Sequence, residues 1–184
     1  MGMLVLGLCL FLGVHLIPTN TGVRSSLVSK FGELGYKAVF SLASLAGLLL
    51  IIYGKGSAEF VAVWWPPAWT LHVTKTLMLP VFILLLAAYI PNNFTNKIKN
   101  PMLTAVKLWA VAHLISNGDL ASILLFGNFL AYAVFDVISV KKRGIVRTPV
   151  SRPRYMDIIV VVLGLVTYGL IVAFHGQLFG MPLF

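Results

Sequence analysis

Six apolar runs, at about residues 2–18, 38–54, 71–90, 102–116, 120–140 and 157–175, are separated by short stretches that hold most of the charge. A helix of roughly 20 apolar residues is what it takes to cross the ~30 Å hydrocarbon core of a bilayer. In hydrocarbon every backbone amide and carbonyl must find a partner within the segment, and a helix provides one. The runs therefore predict an all-α polytopic membrane helix bundle of about six transmembrane helices. Composition agrees: 59% of residues are hydrophobic and 10% charged, with a mean hydropathy of +0.96, against about 25% charged in soluble domains. Six spans and their connections use up the 184 residues, so a single domain over 1–184 is expected.

The net charge of +9 would suit nucleic acid if it lined one solvated face, but it does not. The first loop carries Arg24, Lys30 and Lys37, the third Lys97 and Lys99, and the fifth Lys141, Lys142, Arg143, Arg147, Arg152 and Arg154. Only Lys55 lies in an even loop, and Lys75 and Lys107 fall within spans. Cytoplasmic loops are the basic ones. Six spans put every odd loop on that side, whereas fusing the fourth and fifth runs would erase the bias. The expected topology has odd loops cytoplasmic, both termini periplasmic, and Trp64, Trp65 and Trp69 as an aromatic belt on the outer side. The N-terminal run lacks a basic n-region and a small-x-small cleavage site before Arg24, so it reads as an uncleaved first span. Pro80 should kink the third span unless neighbours satisfy the freed carbonyl. The fourth span, between Pro101 and Asn117, is barely long enough to cross. The lone Cys9 excludes an intrachain disulfide framework.

Ionisable groups inside a membrane are costly and point to function. Those within or beside the runs include His15, His72, His113, His175, Lys75, Lys107, Asp119, Asp136 and Asp157. A neutral imidazole binds transition metals or haem iron without carrying charge into lipid. It serves equally as an interhelical hydrogen-bonding group, and for His175, near the C-terminus, that plainer role is expected. His113 is the strongest candidate ligand: Trp109 and Asn117, four residues to either side, share its helix face. His72, Lys75 and Thr76 share a face at the start of the third span. Lys107 sits near mid-depth, placed to snorkel or to pair with a carboxylate. GxSxG, HExxH, Walker A and GxGxxG sequences are absent. Five acidic residues are too few for a carboxylate-rich metal site.

The segments LGLCLFLGVHLIP, VWWPPAWTLHVTKTLMLP, AAYIP and NPMLTAVKLWAVAHLISNGDLASILLFG, with Arg24 and FGELGYKAVFSLASLAGLLL, resemble the NnrU family of bacterial membrane proteins over roughly residues 3–140. The resemblance implies a bacterial inner-membrane protein associated with denitrification, through the making or use of nitrite and nitric oxide reductases. The family is related to the plastid and cyanobacterial zeta-carotene isomerase, a haem b membrane enzyme that turns a polyene double bond from cis to trans. Carried over by motif, the axial histidines of that relative correspond to His15 and His113, and His72 lies in another shared motif. Asn100 stands where the relatives often carry histidine before the proline of the fourth span. Axial ligands need similar depth, while counting along the chain puts His15 toward the inner side and His113 toward the outer. The second ligand therefore stays open between His15 and His72. On this reading Lys75, Lys107, Trp109 and Asn117 contact the propionates or support the ligands. The leading expectation is a haem b protein serving nitrite and nitric oxide metabolism, its partners being the bilayer and a denitrification membrane complex. The alternatives are a haem-dependent cis–trans isomerase of a lipid-soluble polyene such as a carotenoid, and a cofactor-free small transporter or membrane assembly factor.

Overall fold

A computed structural model describes every residue except 145–148, 181, 182 and 184; Arg147 of the fifth loop lies outside the described residues. All six apolar runs are helical. In chain order the helices are α1 (Gly2–Leu16), α2 (Thr21–Gly56), α3 (Thr70–Ala87), α4 (Phe94–Lys97), α5 (Pro101–Ser116), α6 (Leu120–Lys142) and α7 (Arg154–Phe179). Five of them are long and apolar enough to span a bilayer; α5 is apolar but has only 16 residues. Large apolar side chains such as Leu42 (67% exposed), Ile52 (56%) and Leu170 (55%) point outward, the inverse of a soluble surface and the pattern of one that faces lipid.

The helices fall into two compact units. The first comprises Met1–Val63 with Asp119–Asn128. Its α1 and α2 are antiparallel and closely packed, because three glycines leave room for backbone to meet backbone. A Cβ on Gly7 would stand 2.7 Å from the Ile51 nitrogen, one on Gly47 would meet the Phe11 backbone at 2.8 Å, and one on Gly54 would collide with the Leu4 backbone. Between them Leu4, Leu8 and Ile51 are buried. α2 reaches further back than the expected span: the Asn20 side chain accepts from the Gly22 and Val23 amides, each at 3.1 Å, and caps a helix that starts at Thr21. The basic stretch around Arg24 and Lys30, expected as loop, is therefore helical up to Gly32. There the backbone turns to φ 72°, ψ 162°, a conformation open to glycine, and the apolar span follows.

The second unit comprises Trp64–Gly118 and Phe129–Phe184. α3 lies at its centre, packed antiparallel to both α5 and α7. Against α5 it buries Val81 and Leu84 on Ala105, with Leu108 and Trp109 alongside. The Thr74 hydroxyl donates 2.7 Å to the Ala112 carbonyl. Against α7, Gly164 lets the helix close on Ile83 of α3. The helix runs on through Pro80, whose ring is exposed.

Loop pairing agrees with the charge parity. The third and fifth loops are tied together: the Arg152 amide donates to Asn93 Oδ1 (2.8 Å) and the Val150 amide to Asn96 Oδ1 (3.1 Å). Asp157 of α7 accepts from the Asn93 amide at 2.7 Å. At the opposite ends of the helices the second and fourth loops meet in a short antiparallel bridge between Ala62 and Asp119. The Trp64 amide donates to the Gly118 carbonyl (3.1 Å) and the Leu120 amide to the Val61 carbonyl (2.8 Å). A Cβ on Gly118 would collide with the Trp64 carbonyl, so the bridge requires glycine there. Beside it Asp119, 5% exposed, caps α6 by accepting from the Ser122 amide and pairs with Lys55, each at 2.9 Å. Trp65 and Trp69 are exposed in the second loop, where an aromatic belt belongs.

Candidate functional site

The second unit holds a cavity of about 190 Å³ among α3, α5 and α7, toward the end of the unit that carries the second and fourth loops. Each helix contributes a stripe at helical spacing. From α3 come Leu71, Thr74, Lys75 and Met78; from α5 and its C-cap, His113, Ser116 and Asn117; from α7, Tyr168, Ile171, Val172 and His175. The lining is thus an apolar surface with two imidazoles, an amine, an amide and a phenol placed on it.

The orientation of His113 is set by the helix itself. Its Nδ1 lies 2.8 Å from the Trp109 carbonyl oxygen one turn back. A carbonyl only accepts, so Nδ1 carries the proton of this bond, and in the neutral ring the lone pair is then on Nε2. The Trp109 ring leans on the imidazole at 5.5 Å between centroids, and Phe129 meets Trp109 edge-on at 5.4 Å. Trp109 therefore does not line the cavity but positions the residue that does. Asn117 closes the helix end, its side-chain amide donating 2.8 Å to the His113 carbonyl. On α3, Lys75 Nζ donates to the Leu183 carbonyl (2.9 Å), and the Tyr168 hydroxyl donates to the Lys75 carbonyl (3.1 Å).

Of the residues singled out from sequence, the structure brings Lys75, His113 and Asn117 into one cavity, with Trp109 behind them. His72 and Thr76 are exposed. The stripe of α3 that faces α5 and α7 is 71–74–75–78, so Lys75 belongs to that face and not to the one shared with His72. Lys107 lines a different cavity. His15 belongs to the first unit, in the last turn of α1. It repeats the local geometry of His113: Nδ1 is 2.6 Å from the Phe11 carbonyl, and the ring stacks on Phe11 at 4.2 Å and lies 5.0 Å from Phe40. Sequence reasoning missed Tyr168 and His175 as cavity residues. Their signal was the spacing of 168, 171, 172 and 175, one face of a helix. Among the described residues there is no cluster of three or more His, Cys, Asp and Glu side chains able to hold a bare metal ion.

An all-helical polytopic membrane protein, with an imidazole-bearing cavity enclosed by three of its helices, is the class that this fold and site define. Within that class the chain belongs to the NnrU protein family, which it matches over residues 3–183. The match thus extends through α7, beyond the segments that carried the resemblance. No curated protein and no solved structure matches it.

Proposed function

We propose that this NnrU-family protein binds haem b through His113 and serves nitrite and nitric oxide metabolism in a bacterial inner membrane, with both termini periplasmic. One observation carries the reading: the Trp109 carbonyl holds the His113 Nδ1 proton. In the neutral tautomer that this bond selects, Nε2 is the nitrogen that would ligate iron, in a cavity that also presents a cation and an amide. A backbone carbonyl on the far nitrogen fixes the tautomer and raises the basicity of a ligating imidazole. The donor set fits a haem: an imidazole for iron, Lys75 and Asn117 for propionates, and Met78 and Ile171 for the apolar macrocycle. When bound, haem iron supplies redox chemistry and gas binding that no side chain here supplies. The resemblance leaves the second ligand to His15 or His72, and Lys107 lines a different cavity. The family match across both units supports treating residues 1–184 as one domain.

The size of the cavity favours a second reading. About 190 Å³ is below the roughly 300–1,000 Å³ of ordinary small-molecule pockets, so a porphyrin would extend beyond it. A cofactor-free transporter or assembly factor needs no such extension. A visible spectrum of the detergent-purified protein from haem-replete cells, oxidised and reduced, separates the two. Haem binding predicts a Soret band and sharpened reduced bands that His113→Ala abolishes, and His15→Ala or His72→Ala then identifies the second ligand. A colourless protein, or a spectrum that survives His113→Ala, refutes the assignment. A haem protein that also converts a cis-polyene to its trans isomer would establish the isomerase alternative.

A further inference from the structure

A second cavity, of about 470 Å³, lies at the other end of the same unit, where α4, the beginning of α5 and the C-terminal end of α6 come together. Lys97, Lys99, Lys107 and Lys141 line it, and no carboxylate does. The chain's five acids are Glu33, Glu59, Asp119, Asp136 and Asp157. Glu33 pairs with Arg24 and Lys37, Asp119 with Lys55, and Asp136 with Arg143. Asp157 is held by the Asn93 amide and side chain. Among the described residues, none of the four lysines has an acidic partner.

Four like charges around one cavity repel one another, and among the described residues no carboxylate pairs with them. Lys107 sharpens the point. It stands six residues into α5 from Pro101, roughly 9 Å along the axis, where a lone cation in a span is costly. The wall between the amines is apolar, formed by Ile98, Val137 and Val140. An ordinary solvated basic surface has no such wall. A free inorganic anion would make no use of it, whereas a headgroup with acyl chains attached would.

We infer that this cavity binds the phosphate headgroup of an anionic phospholipid. The lysines meet the phosphate oxygens, and the first acyl carbons lie along Val137 and Val140. Basic pockets between spans at a cytoplasmic membrane face suit such headgroups. The site is separate from the histidine cavity and independent of any haem there.

Native mass spectrometry of the full chain in detergent tests it, with dioctanoyl-phosphatidylglycerol, dioctanoyl-phosphatidylcholine or inorganic phosphate added in turn. Saturable retention of the phosphatidylglycerol alone is expected. Neutralising Lys97, Lys99, Lys107 or Lys141 to glutamine should weaken that retention roughly fivefold each. Lys107→Arg, which keeps the charge, should retain it and so separates lost binding from lost folding. Lys142→Gln, next in sequence but outside the lining, should leave it unchanged. Equal retention of phosphatidylcholine, or an equal loss from Lys142→Gln, would overturn the site. Saturation by inorganic phosphate at the same concentration would overturn the lipid and leave a plain anion site.

Discussion

Asp119 joins two tasks, and its substitutions separate them. It caps α6 through the Ser122 amide, and it pairs with Lys55 while its own side chain is 7% and the lysine's 30% exposed. Losing an N-cap costs about 1 kcal/mol. Breaking the pair should fall between the ~1 kcal/mol at most of a surface pair and the ~3–5 kcal/mol of a fully buried one; with the lysine partly wet, about 2 kcal/mol is expected. Asp119→Ala should therefore cost about 3 kcal/mol, or roughly 6–12 °C in melting temperature for a chain of this size. Asp119→Asn keeps a competent capping oxygen and should cost about 2 kcal/mol. Removing both charges in Lys55→Met with Asp119→Asn should recover most of that loss, because no unpaired buried charge remains. Thermal unfolding of the detergent-purified protein, followed by circular dichroism, reads all of these. Equal losses in Asp119→Ala and Asp119→Asn would refute the cap; a double variant as unstable as the two single losses combined would refute the pair. A pH profile adds an independent check. Burial works to raise the Asp119 carboxyl, but hydrogen bonds from Ser122 and Lys55 outweigh it and hold it below its usual value. The folded protein then binds fewer protons at this site than the unfolded chain. The stabilisation is present above the ordinary carboxylate range near about pH 4 and is lost as pH falls through the folded value. The wild type should lose melting temperature on acidification below pH ~4, and Asp119→Asn should flatten that dependence.

Gly54→Leu, forced against the Leu4 backbone, should destabilise the α1–α2 pair by at least 1–3 kcal/mol, the usual cost of overpacking. Gly169→Ala, with nothing near its would-be Cβ, should be neutral or raise the melting temperature slightly through helix propensity, up to about 1 kcal/mol; equal losses in the two variants would refute the close approach. For topology, single cysteines placed in a Cys9→Ala background at Glu59 or Gln177 should react with an impermeant maleimide from the side opposite to cysteines at Lys30, Lys97 or Lys142. Labelling of both sets from one side would refute six crossings.

That the apolar runs form a polytopic helix bundle was legible because apolar length is what a bilayer selects, and the pairing of loops was legible in the parity of their basic residues. The hydrogen bonds of Asn93 and Asn96 to the fifth loop, and of Trp64 to Gly118, agree with that parity. Which face of each helix turns inward was not legible. Around α3 apolar residues stand on every side, so the pattern that would orient a soluble helix is missing, and Lys75 was grouped with His72 instead of with Thr74 and Met78. The helical start of α2 was hidden for the opposite reason. Its first turns are polar enough to read as loop, and only Asn20 at the cap marked them. Of the cavity, His113, Lys75 and Asn117 were visible by residue type at helical spacing. Tyr168 and His175 come from a helix distant in sequence, and no local pattern tied them to His113. The distinct lysine cavity was also hidden, because Lys97, Lys99 and Lys141 had been assigned to topology alone.

The bridge at Ala62 and Asp119 changes what the brevity of α5 means. Sixteen residues rise only about 24 Å, less than the thickness of a ~30 Å slab, so a helix of this length can end at a level still within it. Peptide groups stranded at that level ordinarily have no water to bond. Here an extended piece of the second loop supplies the missing contacts: the Gly118 carbonyl receives Trp64, the Leu120 amide reaches Val61, and Thr74 and Asn117 answer the last carbonyls of α5. The turn is thereby released from having to surface. His113 and Asn117, at the end of α5, thus sit beside a turn whose peptide groups are already paired.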